Sequence, residues 1–274
     1  MYRAIKALNN NCVLAESLDS RNEVILLGKG IGFGKKVSER FDLQEGTKVY
    51  SLQAGSRSGN PIALAKSIDS LYFEITNQIL IEAEARLGDI DSGILLPLAD
   101  HIAFAVKRIK EQGSIQNPLT DEIKLLFEEE YKVALFARKV IYGFTGVKIN
   151  DDEAGYITIH LHTAIDKNKK VNVMNMAQIV HECIRIVEER RNISISKESL
   201  AYNRLLSHMK YMIMRMQKDE RIKLDVNKYM VKEMPSTFQL AEELCNKVAE
   251  EIKSKVYPEE IGYLAMHIER VCTI

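Results

Sequence analysis

The 274-residue chain lacks an excess of either charge: Lys and Arg together number 38, and so do Asp and Glu. A uniformly basic coat for nucleic acid is thereby excluded, and any anion-binding face must be local. Cysteines are few. Cys12, Cys183, Cys245 and Cys272 form no Cys-x-x-Cys pair and no zinc spacing with the histidines, which argues against a disulfide framework and suits free core thiols in a reducing compartment. No apolar run reaches membrane-spanning length, and the opening "MYRAIKALNNN" lacks the core of a signal peptide. A cytoplasmic location without membrane insertion is expected. Only five prolines interrupt a chain that is 46% hydrophobic and 28% charged, which reads as ordered, mostly helical protein of two or three domains.

Glycine is concentrated in "ILLGKGIGFGKK", Ile25 to Lys36, where Gly28, Gly30, Gly32 and Gly34 alternate. A P-loop would need the G-x-x-x-x-G-K-[ST] count, which fails here, with Lys36 in place of the hydroxyl. A dinucleotide fingerprint would need a third glycine at Phe33 and a core helix beyond it, and "KKVSERFDLQEG" is too short and polar for one. The downstream "HRD" and "DFG" of a protein kinase do not occur. No nucleotide cofactor is expected.

Patterning changes near residue 55. "YRAIKAL", "CVLAESL", "EVILLGKG" and "KVYSLQ", separated by Asn, Asp and Gly turns, read as antiparallel hairpins. A meander of about fifty residues buries little core alone, so self-association is expected. After "AGSRSGNP" the period switches to three and four. "LAKSIDSLYFEITNQILIEAEARLG", "LADHIAFAVKRIKEQG" and "DEIKLLFEEEYKVALFARKVIYGF" read as amphipathic helices stopped at Gly88, Gly113 and Gly143.

The helical part repeats. "DEAGYITIHLHTA" aligns with "EEIGYLAMHIERV" on His160 and His267, and "LADHIAFAVKR" aligns with "LLSHMKYMIMR" on His101 and His208. Both pairs are offset by 107 positions, so the helical region is a duplicated domain. The expected organisation is a small antiparallel β domain at 1–55, a linker at 56–61, and two homologous all-α bundles at 62–167 and 168–274.

Four of the six histidines occupy the duplicated positions, and His162 and His181 read as structural or surface residues. A histidine near neutral pH can ligate metal, shuttle a proton or accept a phosphoryl group. His160 and His162 lie about 200° apart around a helix, which excludes a shared metal site, and no metal is expected. Asp100 beside His101, and Glu153 two turns before His160, are the candidate orienting acids, although Ser207 stands in the second copy where Asp100 does in the first. Duplicated histidines without pocket chemistry of their own suit acceptors modified by other proteins, where each phosphate brings almost two negative charges to an interface.

The order "IKALNNNCVLA", "GKGIGFGKK", "LADHIAFA", "DEAGYITIHLHTA", "LLSHMKYM" and "EEIGYLAMHIERV" resembles the BglG-type transcriptional antiterminators over essentially the whole chain. The resemblance implies a dimeric co-antiterminator RNA-binding domain followed by two PTS-regulation domains, named for the sugar phosphotransferase system. It implies binding of a leader RNA hairpin, prevention of a terminator, and control by phosphorylation of His101, His160, His208 and His267. The partners implied are the phosphocarrier protein and a sugar permease component. The RNA-contact positions implied are Lys6, Asn11, Gly28, Lys29, Gly30 and Phe33, with Asn9 and Asn10 shaping the turn. Their chemistry suits contact with RNA, since amides meet base edges, Phe33 can stack, and Lys6, Lys29, Lys35 and Lys36 can meet phosphates. Many relatives carry Arg where Lys29 stands, so a point charge replaces a planar fork. "KGIGFGKK" and the His-x-His of "IHLHTA" resemble the glucose-operon branch. A DNA-binding activator with the same regulatory domains is disfavoured by the absence of a helix-turn-helix pattern before residue 55. A histidine-dependent phosphotransferase is disfavoured by the absence of a nucleotide site, and no catalytic residue is assigned.

Overall fold

The computed structural model describes residues 1–52, 60–165, 173–223 and 225–273. The expected linker, up to residue 59, and the expected boundary at 167 and 168 lie outside them.

Five antiparallel strands open the chain: β1 (Tyr2–Asn9), β2 (Cys12–Ser17), β3 (Glu23–Leu27), β4 (Arg40–Phe41) and β5 (Lys48–Ser51), in the sheet order β4-β1-β2-β3-β5. The expected meander is present, with β4 as an addition too short to carry a period. Alternation sorts the sheet's two faces. Cys12, Leu14, Ile25, Leu27 and Tyr50 join the core of the following helices, while Ala4, Val13, Ala15, Val24, Leu26 and Ile31 form a second cluster with Tyr2, Phe41 and Val49.

The helices are α1 (Pro61–Ser67), α2 (Ser70–Leu87), α3 (Leu95–Lys110), α4 (Thr120–Leu126), α5 (Glu128–Thr145) and α6 (Asp151–Ile165) in the first copy. The second holds α7 (Val173–Arg191), α8 (Leu200–Lys218), α9 (Asn227–Glu233), α10 (Pro235–Glu251) and α11 (Pro258–Cys272). Two expected helices are each split. Asp69 caps α2 through its side chain, accepting from the Leu71 amide at 2.9 Å, and so separates α1 from α2. Phe127 takes a non-helical conformation between α4 and α5.

Gly88 ends α2 with φ +85°, as expected, and Gly113 follows the end of α3, where Gln112 takes the left-handed position at φ +60°. Gly143 is not a stop. It lies inside α5, and the left-handed residue just past that helix is Gly146, φ +70°.

The chain divides into two compact units, Met1–Asn117 with Glu129–Lys167, and Pro118–Glu128 with Asn168–Ile274. In the first, the sheet and α2 share one core, tied by Tyr50 Oη donating to Asn77 Oδ1 at 2.6 Å and by Lys48 Nζ to Glu84 Oε2 at 2.7 Å. Helix α3 packs against α2 and α6. In the second unit α8, α10 and α11 form the corresponding core. The short helices differ in placement: α9 packs on α10 and α11, whereas its counterpart α4 packs on α7 and α8. There Glu122, buried, receives His181 Nδ1 at 2.9 Å, and Lys197 reaches Asp121 at 3.0 Å. Cys12, Cys183 and Cys245 are buried free thiols, as their isolation in the sequence suggests. No described helix is long and apolar enough to cross a membrane.

Candidate functional sites

The first candidate site is the loop-bearing end of the sheet. Asn9 and Cys12 pair across the turn made by Asn10 and Asn11, and Asn9 Oδ1 accepts from the Asn11 amide at 2.7 Å. Asn9 Nδ2 donates to Glu74 Oε1 at 2.7 Å, so this side chain is spent on the fold of the turn and its seat on α2. The glycine loop after β3 folds over this turn. Gly28 N donates to Asn11 O at 3.0 Å, Gly30 N to Asn11 Oδ1 at 3.0 Å, and Gly32 N to Asn10 O at 2.9 Å.

Two kinds of glycine requirement follow. Gly30 and Gly34 take positive φ, +72° and +68°, in open space. Gly32 is needed for approach, because a Cβ there would lie 2.0 Å from Asn9 O. Ile31 is buried beneath the loop as its anchor, and Phe33 is thrown outward, 77% exposed. Lys6, Asn10, Lys29 and Lys36 are exposed as well. Lys35 is engaged internally: its ammonium contacts Glu39 Oε1 at 2.8 Å and lies 4.4 Å from the Phe41 ring centroid. That pair, with the Lys36 amide, holds the Glu39 carboxyl below its usual range. Of the side chains expected to meet RNA, Phe33, Lys6, Asn10, Lys29 and Lys36 are thus the ones left facing solvent.

The second candidate site occurs twice. In the first unit α3 supplies His101 and Arg108 and α6 supplies Glu153, Tyr156 and His160. The two imidazoles lie 5.2 Å apart between centroids, and Tyr156 is 5.9 Å from His101. Glu153, 1% exposed, sits 3.4 Å from His101 Nε2 and is paired with Arg108 Nη2. Burial pushes the Glu153 carboxyl up, but His101 and Arg108 outweigh it and hold the group below its usual range. Burial, and then the neighbouring His101, push His160 down to about 4, so its ring is neutral at physiological pH. Asp100 is exposed on α3; Glu153 is the acid at His101, reached across the α3–α6 contact rather than along one helix.

In the second unit α8 and α11 repeat the arrangement. His208 and His267 stack at 4.6 Å, and Tyr263 stacks on His208 at 5.9 Å. Arg215 donates to Glu260 twice, Nε to Oε1 at 2.6 Å and Nη2 to Oε2 at 2.8 Å, and Glu260 Oε2 faces His208 Nε2 at 3.9 Å. Burial, then His267 and Arg215, push His208 down to about 3. Burial, then Arg270 and Arg204, push His267 down too. His208 Nε2 and His267 Nδ1 are sealed from solvent without a hydrogen-bond partner. A cavity of about 370 Å³ opens over the pair.

His162, between these sites in sequence, pairs through Nδ1 with Glu130 at 2.6 Å, a structural role like that of His181. Among the described residues no group of three His, Cys, Asp or Glu side chains is placed to hold a metal ion. Arg204 was not singled out by the sequence, because it has no counterpart in the first copy and so carries no repeat signal.

The architecture defines a regulator with a sheet-built nucleic-acid-binding module followed by two copies of a histidine-bearing helical module. Residues 2–58 match the CAT RNA binding domain, and residues 75–164 and 181–271 each match the PRD domain. The chain belongs to the BglG-type family of transcriptional antiterminators. It is 30% identical over 271 residues to the GlcA/glcB genes antiterminator of Staphylococcus carnosus (strain TM300), covering 97% of this chain and 94% of the relative. It is 28% identical over 273 residues to the transcription antiterminator LicT of Bacillus subtilis (strain 168), covering 97% of both chains. Similarity extends to the beta-glucoside operon antiterminator of Dickeya chrysanthemi, at 27% over 274 residues, covering 97% of this chain and 95% of that one. A crystal structure of GlcT CAT-PRDI matches 61% of this chain and 99% of its own, at 30% identity and a TM-score of 0.50.

Proposed function

We propose that this protein is a transcriptional antiterminator, which binds an RNA hairpin in the leader of a sugar-utilisation or sugar-transport operon and prevents a terminator from forming. Its first 55 residues bind the RNA as a homodimer in the cytoplasm. Phosphorylation of His101 and His160 in the bundle at 62–167, and of His208 and His267 in that at 168–274, sets whether it is active. The phosphocarrier protein and a sugar permease component act as donors. The relatives of glucose-operon type make a glucose-transport operon the preferred target.

The observation that carries the regulatory half is the matched pair of imidazoles in each bundle, one ring of each held neutral by burial. A neutral ring nitrogen keeps the lone pair that attacks phosphorus as the donor's own bond to phosphorus breaks. On the RNA side, Phe33 offers a stacking face that serves no packing purpose, on a loop whose amides are held by the Asn10–Asn11 turn and by the loop's own carbonyls.

Binding of the full-length protein to its leader hairpin, with the affinity falling as salt rises, is the test. Competition by duplex DNA as effective as that by the hairpin contradicts the proposal.

A further inference from the structure

The two histidine sites share a frame but not a rim. Over the second, the cavity is lined by Asn203, Arg204, Ser207, Tyr211 and Arg215 beside the two histidines. At an offset of 107 the first four become Leu96, Pro97, Asp100 and Phe104. Every hydrogen-bond donor is lost in that exchange, and at one position a carboxylate appears. Arg270, whose charge bears on His267, becomes Thr163. The second site thus gathers Arg204, Arg215 and Arg270 around its two rings and Glu260, while the first has Arg108 with Glu153.

Arg215 is committed to Glu260 by two hydrogen bonds. Arg204 has no ion-pair or hydrogen-bond partner among the described residues, lines the same cavity as both rings, and acts electrostatically on His267. A cation left unpaired beside two neutral imidazoles, with hydroxyls from Ser207 and Tyr211 lining the same cavity, supplies what an oxyanion needs: a charge and hydrogen-bond donors at one space.

We propose that the cavity over His208 and His267 is a receptor for a phosphoryl oxyanion, with Arg204 as its principal cation and Ser207 and Tyr211 as accessory donors, and that the first bundle has no such receptor. The same chemistry serves two sources, a phosphoryl group carried by either histidine or the phosphate of a small free anion. The covalent case rests on the function proposed above. Its consequence is an asymmetry between the two bundles. A phosphohistidine in the second is held by that bundle's own cation. One in the first has no counterpart of Arg204, where Pro97 stands, and must be solvated, or met by cations from elsewhere.

The test uses the full-length protein and inorganic phosphate first. Titration at constant ionic strength, followed by NMR of the histidine rings, should shift His208 and His267 saturably and leave His101 and His160 in place. Chloride should not reproduce the shifts. Arg204→Ala, at an exposed position, should weaken phosphate binding about tenfold, with Arg204→Lys between the two. In the second arm, protein labelled by phosphoenolpyruvate, its kinase and the phosphocarrier should lose second-bundle phosphate faster when Arg204 is Ala, with first-bundle phosphate unaffected. Phosphate binding that needs Arg204 supports the receptor even where no histidine takes label, an outcome that would remove only the regulatory function. Phosphate binding and phosphohistidine lifetime both indifferent to Arg204 overturn the receptor and leave the regulatory function standing.

Discussion

Arg215 and Glu260 bind each other through two hydrogen bonds, and this pairing leaves one carboxylate oxygen facing His208 Nε2 at 3.9 Å. Arg108 pairs with Glu153 beside His101 through one hydrogen bond, from Nη2 to Oε1, and the other carboxylate oxygen faces His101 Nε2 at 3.4 Å. The acid that faces each histidine is thus buried and depends on an arginine four positions from an exposed aromatic, Phe104 or Tyr211.

Replacing Arg215 with Ala strands the Glu260 carboxylate, which is 0% exposed. The second unit should lose about 3–5 kcal/mol, read by urea denaturation. The double change Arg215→Met with Glu260→Leu should recover most of that loss, because the buried charge goes with its partner.

His208 and His160 give the protein a defined response to acid. Their rings lie at about 3 and about 4 in the folded state against an ordinary 6.5, so below pH 6.5 the unfolded chain binds protons that the folded one refuses. Stability should therefore fall as pH drops through the window from about 6.5 towards 4, by about 2 kcal/mol for each ring at pH 5. Denaturation at pH 7 and pH 5 measures it. His208→Gln and His160→Gln should each flatten the difference.

Much of this was legible beforehand, and the reasons it was or was not are physical. The offset of 107 revealed both histidine pairs because each residue survives in both copies. Glu153 was visible as an acid two turns from His160, but its position opposite His101 comes from α3 packing on α6, which no single helix encodes. Asp100 is a candidate by adjacency in sequence, yet neighbours on a helix point about 100° apart, and Asp100 faces outward. The Gly143 stop failed because a glycine in the exposed last turn of a helix costs little, while the left-handed residue that ends α5 lies three positions on. Composition could place the glycine loop on a surface, but only its packing on the Asn10–Asn11 turn separates Gly32 from the others.

That separation is measurable. Gly32→Ala should disrupt the loop and abolish hairpin binding, since its Cβ would collide with the Asn9 carbonyl at 2.0 Å. Gly30→Ala, in open space, should cost only about 1–2 kcal/mol for its positive φ. Thermal melts and RNA gel shifts on the two variants check the order.

Phe33→Ala should leave stability within about 0.5 kcal/mol of the parent, because the ring packs against little of its own chain. Hairpin affinity should nevertheless fall about tenfold or more, the worth of one stacked base, as read by filter binding. An unchanged affinity would remove Phe33 from the RNA surface.

In the second bundle His267 Nδ1 is sealed without a partner, which leaves Nε2 for modification. Phosphorus NMR of protein labelled through the phosphocarrier should show the Nε2-linked isomer at His267, and His267→Ala should remove that signal.

The most direct measurement is transcription in vitro across the leader hairpin and terminator of a sugar-transport operon from the same genome. The expected result is read-through that rises with added protein and changes when the protein has been phosphorylated, a change abolished by replacing His101, His160, His208 and His267 together. Read-through that is the same with and without the protein would contradict the account.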